Sequence, residues 1–352
     1  MFYLGIDVSK AKLDCCLLLD NTTFKRKDKS IANNHKGFNE LLAWIQKQSI
    51  ELSNVHIIME ATGVYHEQAA YALHDAGIKL SLANPAYVRH FAKGLAIKTK
   101  NDGMDSFVLA RYGLSTQPSS WIPAPIEARM LKALLHRREA IAQDLQREHN
   151  RQEKAQVACS PEKIQHSIET SIAFLEQQLK KLQDDIDDHI DKHPKLKQDV
   201  KLLESIPAVG ERVGNTMLSV LHNHHFESAE QVAAYLGLVP VEYQSGTSVF
   251  RRSHLSKTGS ASVRATLYMA AVVATKYNPH IKALYERLLA KGKCKMLAIG
   301  AAMRKLVHLC FGVWKNQTPY QTDCSAIQPR LRGNEPALRP YASTAGRRTP
   351  DR

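Results

Sequence analysis

Residues 101–110 read Asn101-Asp102-Gly103-Met104-Asp105-Ser106-Phe107-Val108-Leu109-Ala110. Asn101 or Asp102 suits the N-cap of a helix, and the apolar Val108 and Leu109 follow in its body. At their spacing, Asp102 and Asp105 project on one side of the first turn. Acidic residues favour a helix start through the dipole alone, but clustered carboxylates are also what a hard divalent cation binds. This stretch by itself leaves both interpretations open.

Length and charge restrict the class of protein. The chain has 352 residues, enough for two or three domains, and its 44% hydrophobic content is typical of a globular protein. We find no uninterrupted apolar run that predicts a membrane span, so no membrane partner is expected. The net charge of +14 and the isoelectric point near 9.4 favour a polyanionic partner, and we expect nucleic acid.

The N-terminal residues and the cysteines predict a cytoplasmic protein. The first residues read as a strand and lack the flanks of a signal peptide. The cysteines have no metal-ligand spacing, so buried, reduced thiols are the simple explanation. They are Cys15, Cys16, Cys159, Cys294, Cys310 and Cys324.

The first hundred residues predict a mixed sheet with helices on its faces. Short apolar segments near residues 3–8, 13–19, 55–60 and 79–83 read as strands, with a further strand after the basic turn at 21–29. Helical spacing recurs between Phe38 and Ile45 and again up to about His74. Three strands, a helix, a strand, a helix and a strand are typical of an α/β domain.

Two of these strands end in an acid. Asp7 ends the first strand and Glu60 ends the strand that begins near Val55. Open α/β sheets place their chemistry at strand ends. With Asp102 and Asp105, these acids could bind two Mg²⁺ or Mn²⁺ ions about 4 Å apart, an arrangement suited to in-line attack on a phosphodiester.

Four segments together resemble the DEDD transposases of bacterial insertion sequences, which are bridge-RNA-guided recombinases. The segments are Leu4-Gly5-Ile6-Asp7-Val8-Ser9-Lys10, Met59-Glu60-Ala61-Thr62-Gly63-Val64-Tyr65, Asn84-Pro85 and Lys100-Asn101-Asp102-Gly103-Met104-Asp105. The resemblance implies an RNase-H-like (RuvC-like) N-terminal domain whose four acids match Asp7, Glu60, Asp102 and Asp105. It also implies a homo-oligomer, a dimer or tetramer, that acts on donor and target DNA with a bridge RNA.

The same resemblance assigns a nucleophile. Tyr243-Gln244-Ser245-Gly246 resembles the segment that carries the catalytic serine of these recombinases. Taken alone, a Ser-Gly pair is weak, although glycine lets a ligand approach the backbone closely. Ser248, Ser253 and Ser256 are lesser candidates. The nearby cations could hold phosphates; they are Arg251, Arg252, Lys257 and Arg264.

The middle of the chain is strongly helical. Apolar residues alternate at three and four positions from Ile164 to Ile186, which predicts a coiled-coil seam after a first long helix at 126–156. The two helices could hold protomers together or span the distance between two domains, and the alternative is an antiparallel hairpin within one chain. Periodicity does not separate these alternatives, and the resemblance favours oligomerisation.

A Pro-x-x-Gly turn follows between two further helices. Ile206-Pro207-Ala208-Val209-Gly210 resembles the turn of a helix-hairpin-helix element, whose backbone N–H groups face a DNA phosphate. Glu211 weakens that interpretation, while Arg212 supports it. A plain helical turn is the alternative.

These patterns predict an α/β plus all-α protein in four parts. They are a RuvC-like DEDD catalytic domain at 1–123, coiled-coil helices at 124–200, a helical C-terminal transposase domain at 201–318 and a disordered basic tail at 319–352.

The sequence patterns allow four functional interpretations. The first is an insertion-sequence transposase or site-specific recombinase that cuts and rejoins DNA through a phosphoserine intermediate, with Mg²⁺ or Mn²⁺ held by the acids. The second is a metal-dependent junction nuclease that uses water as nucleophile. An actin-like phosphotransferase lacks a second glycine-rich phosphate loop, and a non-enzymatic coiled-coil scaffold leaves the four acids unexplained.

Overall fold

The computed structural model describes residues 1–61, 63–96, 102–245 and 249–322, with the backbone alone at 245 and 249–252. The chain divides into two compact units, Met1–Arg129 and Met130–Arg352. Each unit is described by itself.

The first unit contains a five-stranded mixed sheet. Its strands are β1 (Phe2–Val8), β2 (Lys12–Leu18), β3 (Arg26–Ala32), β4 (Val55–Glu60) and β5 (Lys79–Ala83), in the spatial order β3-β2-β1-β4-β5. β1 to β3 form an antiparallel meander, and β4 and β5 add to β1 in parallel. The predicted α/β class is therefore confirmed.

Four α-helices and one 3₁₀ turn complete this unit. They are α1 (His35–Gln46), the 3₁₀ turn Leu52–Asn54, α2 (Glu67–Asp75), α3 (Pro85–Gly94) and α4 (Asp102–Thr116). Two asparagines define helix starts: the Asn34 side chain accepts from the Gly37 N–H, and the Asn84 side chain accepts from the Ala86 N–H. The Asn84-Pro85 pair that ends β5 thus also begins α3.

The sheet separates two apolar cores, because successive side chains on a strand point to opposite faces. On one face, Leu4 and Ile6 pack with the buried residues of α1 and α2. On the other, Tyr3 and Ile58 pack with Val108 and its neighbours on α4. The alternation decides which strand residues face α4, and this positions the candidate site.

The segment after α4 remains attached to the sheet. The Trp121 N–H donates to the Leu80 carbonyl at 2.7 Å, and the Ser81 hydroxyl donates to the Ser119 carbonyl at 2.7 Å. The Ser81 oxygen also lies 2.8 Å from His56 Nε2, and burial lowers the pKa of His56 to about 4. A neutral imidazole is suited to this buried position.

The second unit is helical with one hairpin. Its helices are α5 (Ile126–Val157, which begins four residues before the unit boundary), α6 (Glu162–Lys192), α7 (Pro194–Glu204), α8 (Glu211–Asn223), α9 (Ala229–Tyr235), α10 (Ala261–Tyr277), α11 (Pro279–Ala290) and α12 (Lys295–Asn316). Strands β6 (Pro240–Ser245) and β7 (Val249–Leu255) pair antiparallel between α9 and α10. The helical C-terminal prediction is confirmed, with this hairpin as an addition.

α5 and α6 lie alongside one another within one chain. One surface groove is lined by residues 144–151 of α5 and 170–175 of α6, and another by residues 138–142 and 179–183. Later residues of α5 lie beside earlier residues of α6, so the two helices run antiparallel. The two helices therefore form an antiparallel hairpin within the chain, and their role in oligomerisation or in spanning two domains stays a prediction.

α12 is long and apolar enough to cross a membrane by length and composition alone. Arg304 and Lys305 interrupt its apolar residues, so it is not an uninterrupted apolar run. Half of its apolar window is buried inside the structure, where Ala302, Leu306 and Cys310 join the core of the second unit. Packing in that core accounts for its apolar character, since a core helix passes the same test.

The last described residues are held by hydrogen bonds. The Tyr320 N–H donates to the Ser205 hydroxyl at 2.8 Å, and the Tyr320 hydroxyl donates to Asn278 Oδ1 at 3.1 Å. The ordered chain therefore continues to Tyr320, slightly beyond the predicted boundary at 318. The rest of the predicted basic tail, from residue 323 onward, lies outside the described residues.

Candidate active site

Strand alternation places two of the four predicted acids on the face of the sheet that α4 covers. Tyr3 faces α4, so Gly5 and Asp7 do also, since they follow at intervals of two. On β4, Ile58 faces α4, and Glu60 follows two residues later. β1 and β4 are parallel neighbours with Ile6 beside Met59 in register. Asp7 and Glu60 are consequently side by side at the carboxyl end of the sheet.

The close approach of α4 to β1 brings the other two acids to this end. An added Cβ at Gly5 would lie 2.0 Å from the Ser106 carbonyl oxygen and 2.4 Å from the Ala110 nitrogen, so only glycine allows the helix this close. Gly113, further along α4, lies over Ile58 and Tyr3. The helix therefore runs antiparallel to β1.

This direction determines where the first turn of α4 lies. Residues 106–110 are over Gly5, and the chain continues toward Tyr3 at Gly113. Asp102 and Asp105 precede the Gly5 contact by about one turn and so lie toward Asp7. The acidic first turn that the sequence predicted is thus at the same end of the sheet as the two strand-end acids.

The electrostatics of Asp7 agree with this placement. Burial first, and then the negative charges of Asp105, Asp102 and Glu60 in that order, together raise the pKa of Asp7 to about 6, although a backbone hydrogen bond from Val8 lowers it. Because three other carboxylates each raise the pKa of Asp7, all three must lie near it.

Two further charged residues, Lys12 and Asp14, lie at this end and were not among the predicted site residues. Lys12 Nζ lies 2.8 Å from Asp102 Oδ2 and 3.0 Å from Asp14 Oδ2. This contact lowers the pKa of Asp102, and Asp14 pairs directly with Asp7 in the β1–β2 register. The signal was present in the sequence: a tight turn at residues 9–11 pairs Asp7 with Asp14.

The donor set suits a hard divalent cation, although the acids are not arranged as a metal cage. Within the described residues, no three His, Cys, Asp or Glu side chains are grouped so as to hold a metal ion. Burial and the nearby carboxylates raise the pKa of Asp7, and Asp102 already pairs with a cation, the Lys12 ammonium. Carboxylate oxygens are the ligands that Mg²⁺ and Mn²⁺ prefer.

Asn33 ties together the two loops that leave the acidic strands. Its Nδ2 donates to the Ser9 carbonyl at 2.9 Å and to the Tyr65 carbonyl at 3.0 Å. Ser9 follows Asp7, and Tyr65 follows Glu60. The side chain of Tyr65 is 46% exposed beside this end of the sheet. Asn33 therefore fixes the relative position of the two strand ends.

The predicted nucleophile lies in the second unit. Ser245 is the last residue of β6, and its Cα pairs with that of Val249 across the hairpin. The side chains of Ser245, Arg251 and Arg252 lie outside the described residues, as do residues 246–248. For these residues the sequence-based roles stay predictions.

The other two predicted phosphate ligands flank a tightly packed turn. Lys257 is exposed with φ of +55°, and its N–H donates to the Gly237 carbonyl at 3.1 Å. The Arg264 guanidinium donates to the Gly259 carbonyl, so part of its hydrogen-bonding capacity holds this turn. Ser260 accepts from the Val263 N–H, which confirms it as the N-cap of α10.

The turn that resembles a helix-hairpin-helix element has charged residues that already have partners. Arg212 NH2 lies 3.3 Å from Glu139 Oε2, and Gln183 donates to Glu211 at the start of α8. Glu204 lies near Glu211, since burial and then the Glu211 charge raise the pKa of Glu204. Two carboxylates at the turn oppose a phosphate there, so a structural turn is the simpler interpretation.

Comparison with known proteins gives matches along most of the chain. Residues 4–159 match a family model described as a transposase, and residues 200–286 match one described as the transposase IS116/IS110/IS902 family. The pilin gene-inverting protein of Moraxella bovis is 34% identical over 324 residues, which cover 90% of this chain and 97% of that protein.

Two other similarities are more limited. An uncharacterized 43.6 kDa protein of insertion element IS110 from Streptomyces coelicolor is 26% identical over 157 residues, 44% of this chain and 38% of that protein. Among solved structures, T. thermophilus RuvC in complex with a Holliday junction substrate covers 33% of this chain and 96% of its own, with 12% identity and a TM-score of 0.25.

Together, the transposase matches and the relative that spans nearly the whole chain define an enzyme of DNA transposition and recombination. The chain belongs to the IS116/IS110/IS902 family of transposases, which confirms the DEDD resemblance of its N-terminal motifs.

Proposed function

We propose that this protein is a site-specific DNA recombinase that moves an insertion sequence by cutting and rejoining DNA through a phosphoserine intermediate. The observation that carries the proposal is the placement of Asp7, Glu60, Asp102 and Asp105 at one end of the sheet, with the pKa of Asp7 raised to about 6. A partly buried carboxyl whose pKa is raised by burial and by neighbouring acids is a candidate functional group, because active sites often hold acids in such an environment.

The four acids would hold Mg²⁺ or Mn²⁺, which supplies Lewis acidity to the phosphate oxygens when bound. The Ser245 hydroxyl attacks a DNA phosphorus, so that a P–Oγ bond forms and the P–O bond to one sugar breaks. That sugar oxygen takes up the proton. Attack by a sugar hydroxyl of another strand then reverses these bond changes and releases Ser245.

The partners follow from the same proposal. Donor and target DNA are the substrates, and the resemblance of the motifs favours a bridge RNA as guide. We place the protein in the bacterial cytoplasm as a homo-oligomer, a dimer or tetramer, in which the acids of one copy act with Ser245 of another. The net charge of +14 supports polyanionic partners.

Inversion of a DNA segment is a second candidate. The name of the Moraxella bovis relative refers to inversion of a pilin gene, and that protein is 34% identical over nearly its full length. Inversion and transposition use the same cutting and rejoining steps and differ in the placement of the two sites. A plasmid substrate carrying two sites in inverted orientation separates the two outcomes.

A covalent trap tests the phosphoserine. We expect wild-type protein, incubated with donor and target DNA, the RNA transcribed from the DNA flanking the gene and Mg²⁺, to yield a denaturation-resistant protein–DNA adduct that maps to Ser245. Ser245→Ala should give no adduct and no recombination, because alanine has no hydroxyl to attack the phosphorus.

Ser253→Ala is the matched control, since it removes a hydroxyl from the other strand of the same hairpin and should retain the adduct. Cleavage without any adduct would favour the junction nuclease that uses water. An adduct that persists in Ser245→Ala would assign the chemistry to another residue.

Salt dependence tests the electrostatic part of the interface. We expect affinity for DNA to fall roughly 100-fold or more between 50 and 200 mM salt, because Lys and Arg side chains release counterions from phosphates. Fluorescence anisotropy with a labelled duplex measures the slope. A flat response would reject an interface dominated by phosphate contacts.

A further inference from the structure

A cavity of about 390 Å³ opens in the second unit, within the size range of small-ligand sites. Side chains from α5, α8, α9 and the start of α10 line it. The chemistry of its walls is polar and basic, and neither the acids nor Ser245 contributes to it. The lining residues used below are Lys132, His136, Arg138, Glu139, Arg212, His224 and Tyr235.

The cavity carries more positive than negative charge. Lys132, Arg138 and Arg212 contribute cations, and Glu139 is the acid in the lining. Glu139 is engaged by Arg212 at 3.3 Å. Within the described residues, neither Lys132 nor Arg138 forms an ion pair, so these two cations of the lining have no carboxylate partner.

Two histidines beside Lys132 respond to this charge. Burial and then the Lys132 charge lower the pKa of His224 to about 4, and the same two causes lower that of His136. Both imidazoles therefore stay neutral near pH 7. Positive charge in a concave, partly desolvated wall is costly unless an anion binds there.

An aromatic side chain is fixed at the same cavity. The Tyr235 hydroxyl lies 2.7 Å from His224 Nε2, and the two ring centroids are 4.3 Å apart. The Phe226 ring packs against Tyr235 at 5.6 Å. Tyr235 nevertheless stays 45% exposed. A held, partly exposed ring offers a stacking surface with little entropy to lose.

We propose that this cavity binds one nucleotide of a single-stranded nucleic acid, with its phosphate at Lys132 and Arg138 and its base stacked on Tyr235. A nucleotide has an anionic phosphate that suits the cations of the lining and a flat base that suits the exposed Tyr235 ring. The inference rests on the proposed function for its partner class and adds a site for that partner. DNA and RNA share this chemistry, and the test separates them.

Neighbouring arginines on α5 provide a matched pair of variants. Arg138 lines the cavity, whereas Arg137 is exposed on the same helix and is not part of its lining. We expect Arg138→Gln to weaken binding of a labelled 12-nucleotide single strand roughly tenfold and to lower the salt slope by about one. Arg137→Gln removes the same charge and should change affinity by less than about threefold.

Tyr235 separates stacking from hydrogen bonding. Tyr235→Phe keeps the ring and should bind almost as the wild type does, while Tyr235→Leu should weaken binding roughly tenfold. Glu139→Gln removes the acid of the lining and frees Arg212, so affinity should rise. A misfolded variant would not show such a gain. We expect roughly threefold tighter binding.

The measurement is fluorescence anisotropy of full-length protein in EDTA with oligo-dT and oligo-U of equal length, with thermal unfolding of each variant as a folding control. The strand whose affinity responds to Arg138→Gln identifies the source of the nucleotide. Equal effects of Arg137→Gln and Arg138→Gln, or wild-type binding by Tyr235→Leu, would overturn the proposal.

The assay needs no strand cleavage. A difference between the two arginine variants in a protein that forms no adduct at Ser245 would therefore reject the proposed chemistry and keep this nucleotide site.

Discussion

We expect Asp7→Asn to abolish strand exchange and, in the same protein, to raise the thermal stability of the metal-free form. The loss should be at least about 1000-fold, because the amide keeps the shape and removes a metal-binding charge. The gain in stability arises because folding brings the Asp7 carboxylate into a half-buried position near Asp105, Asp102 and Glu60, which disfavours its charge.

The size and sign of the stability change follow from the pKa. A rise from 3.8 to about 6 corresponds to ~3 kcal/mol, which we reduce to roughly 1–2 kcal/mol for solvent screening. Because the folded-state pKa lies above the unfolded value, the penalty is absent below pH 3.8, grows as pH rises to about 6 and is complete above it. Asp7→Asn should thus be more stable than wild type at pH 7 and equally stable near pH 3.5.

Thermal unfolding in EDTA across this pH range measures the effect, expected as about 3–6 °C for the first unit at pH 7. Asp75→Asn is the control, since Asp75 is 79% exposed at the end of α2 and should change neither property. A less stable Asp7→Asn protein at pH 7 would mean that the acids do not repel one another. Strand exchange by that variant would remove Asp7 from the active site.

Gly5→Ala separates α4 from β1. The new methyl group would meet the Ser106 carbonyl oxygen at 2.0 Å and the Ala110 nitrogen at 2.4 Å, and neither backbone atom can rotate away. We expect a loss of about 2–4 kcal/mol in the free energy of unfolding, at the upper end for overpacking. Strand exchange should fall further than stability alone explains, because Asp102 and Asp105 move with the helix.

Alanine substitutions at two other glycines provide comparisons for Gly5→Ala. At Gly113 the added Cβ meets the buried Ile58 side chain, with Cδ1 at 2.1 Å and Cγ1 at 2.5 Å. Because a side chain can shift more readily than backbone atoms, Gly113→Ala should cost less than Gly5→Ala, about 1–2 kcal/mol. At Gly94 nothing lies within 4 Å, and Gly94→Ala should be neutral or slightly stabilising. Chemical denaturation of the three variants gives the order. A Gly5→Ala protein as stable as Gly94→Ala would contradict the close approach of α4.

The sequence by itself determined the elements and the class of the fold. Apolar segments ending in Asp7 and Glu60 predicted two strands of a mixed sheet, and the acid pair at Asp102 and Asp105 predicted a helix start; all three elements are present. The motifs around these acids also predicted the transposase family. These signals are local, because strand alternation, helix caps and short motifs depend on neighbouring residues.

Only the tertiary structure decided which partners these elements have. In the sequence Gly5 is only one residue of a motif, and the fold shows that Ser106 packs directly against it. Lys12 bridges Asp14 and Asp102, a contact between residues 90 positions apart. Periodicity tells which face of an element is apolar, but the partner on that face depends on packing between distant segments. For that reason the acids could be named from the sequence, whereas their shared environment and the raised pKa of Asp7 required the fold.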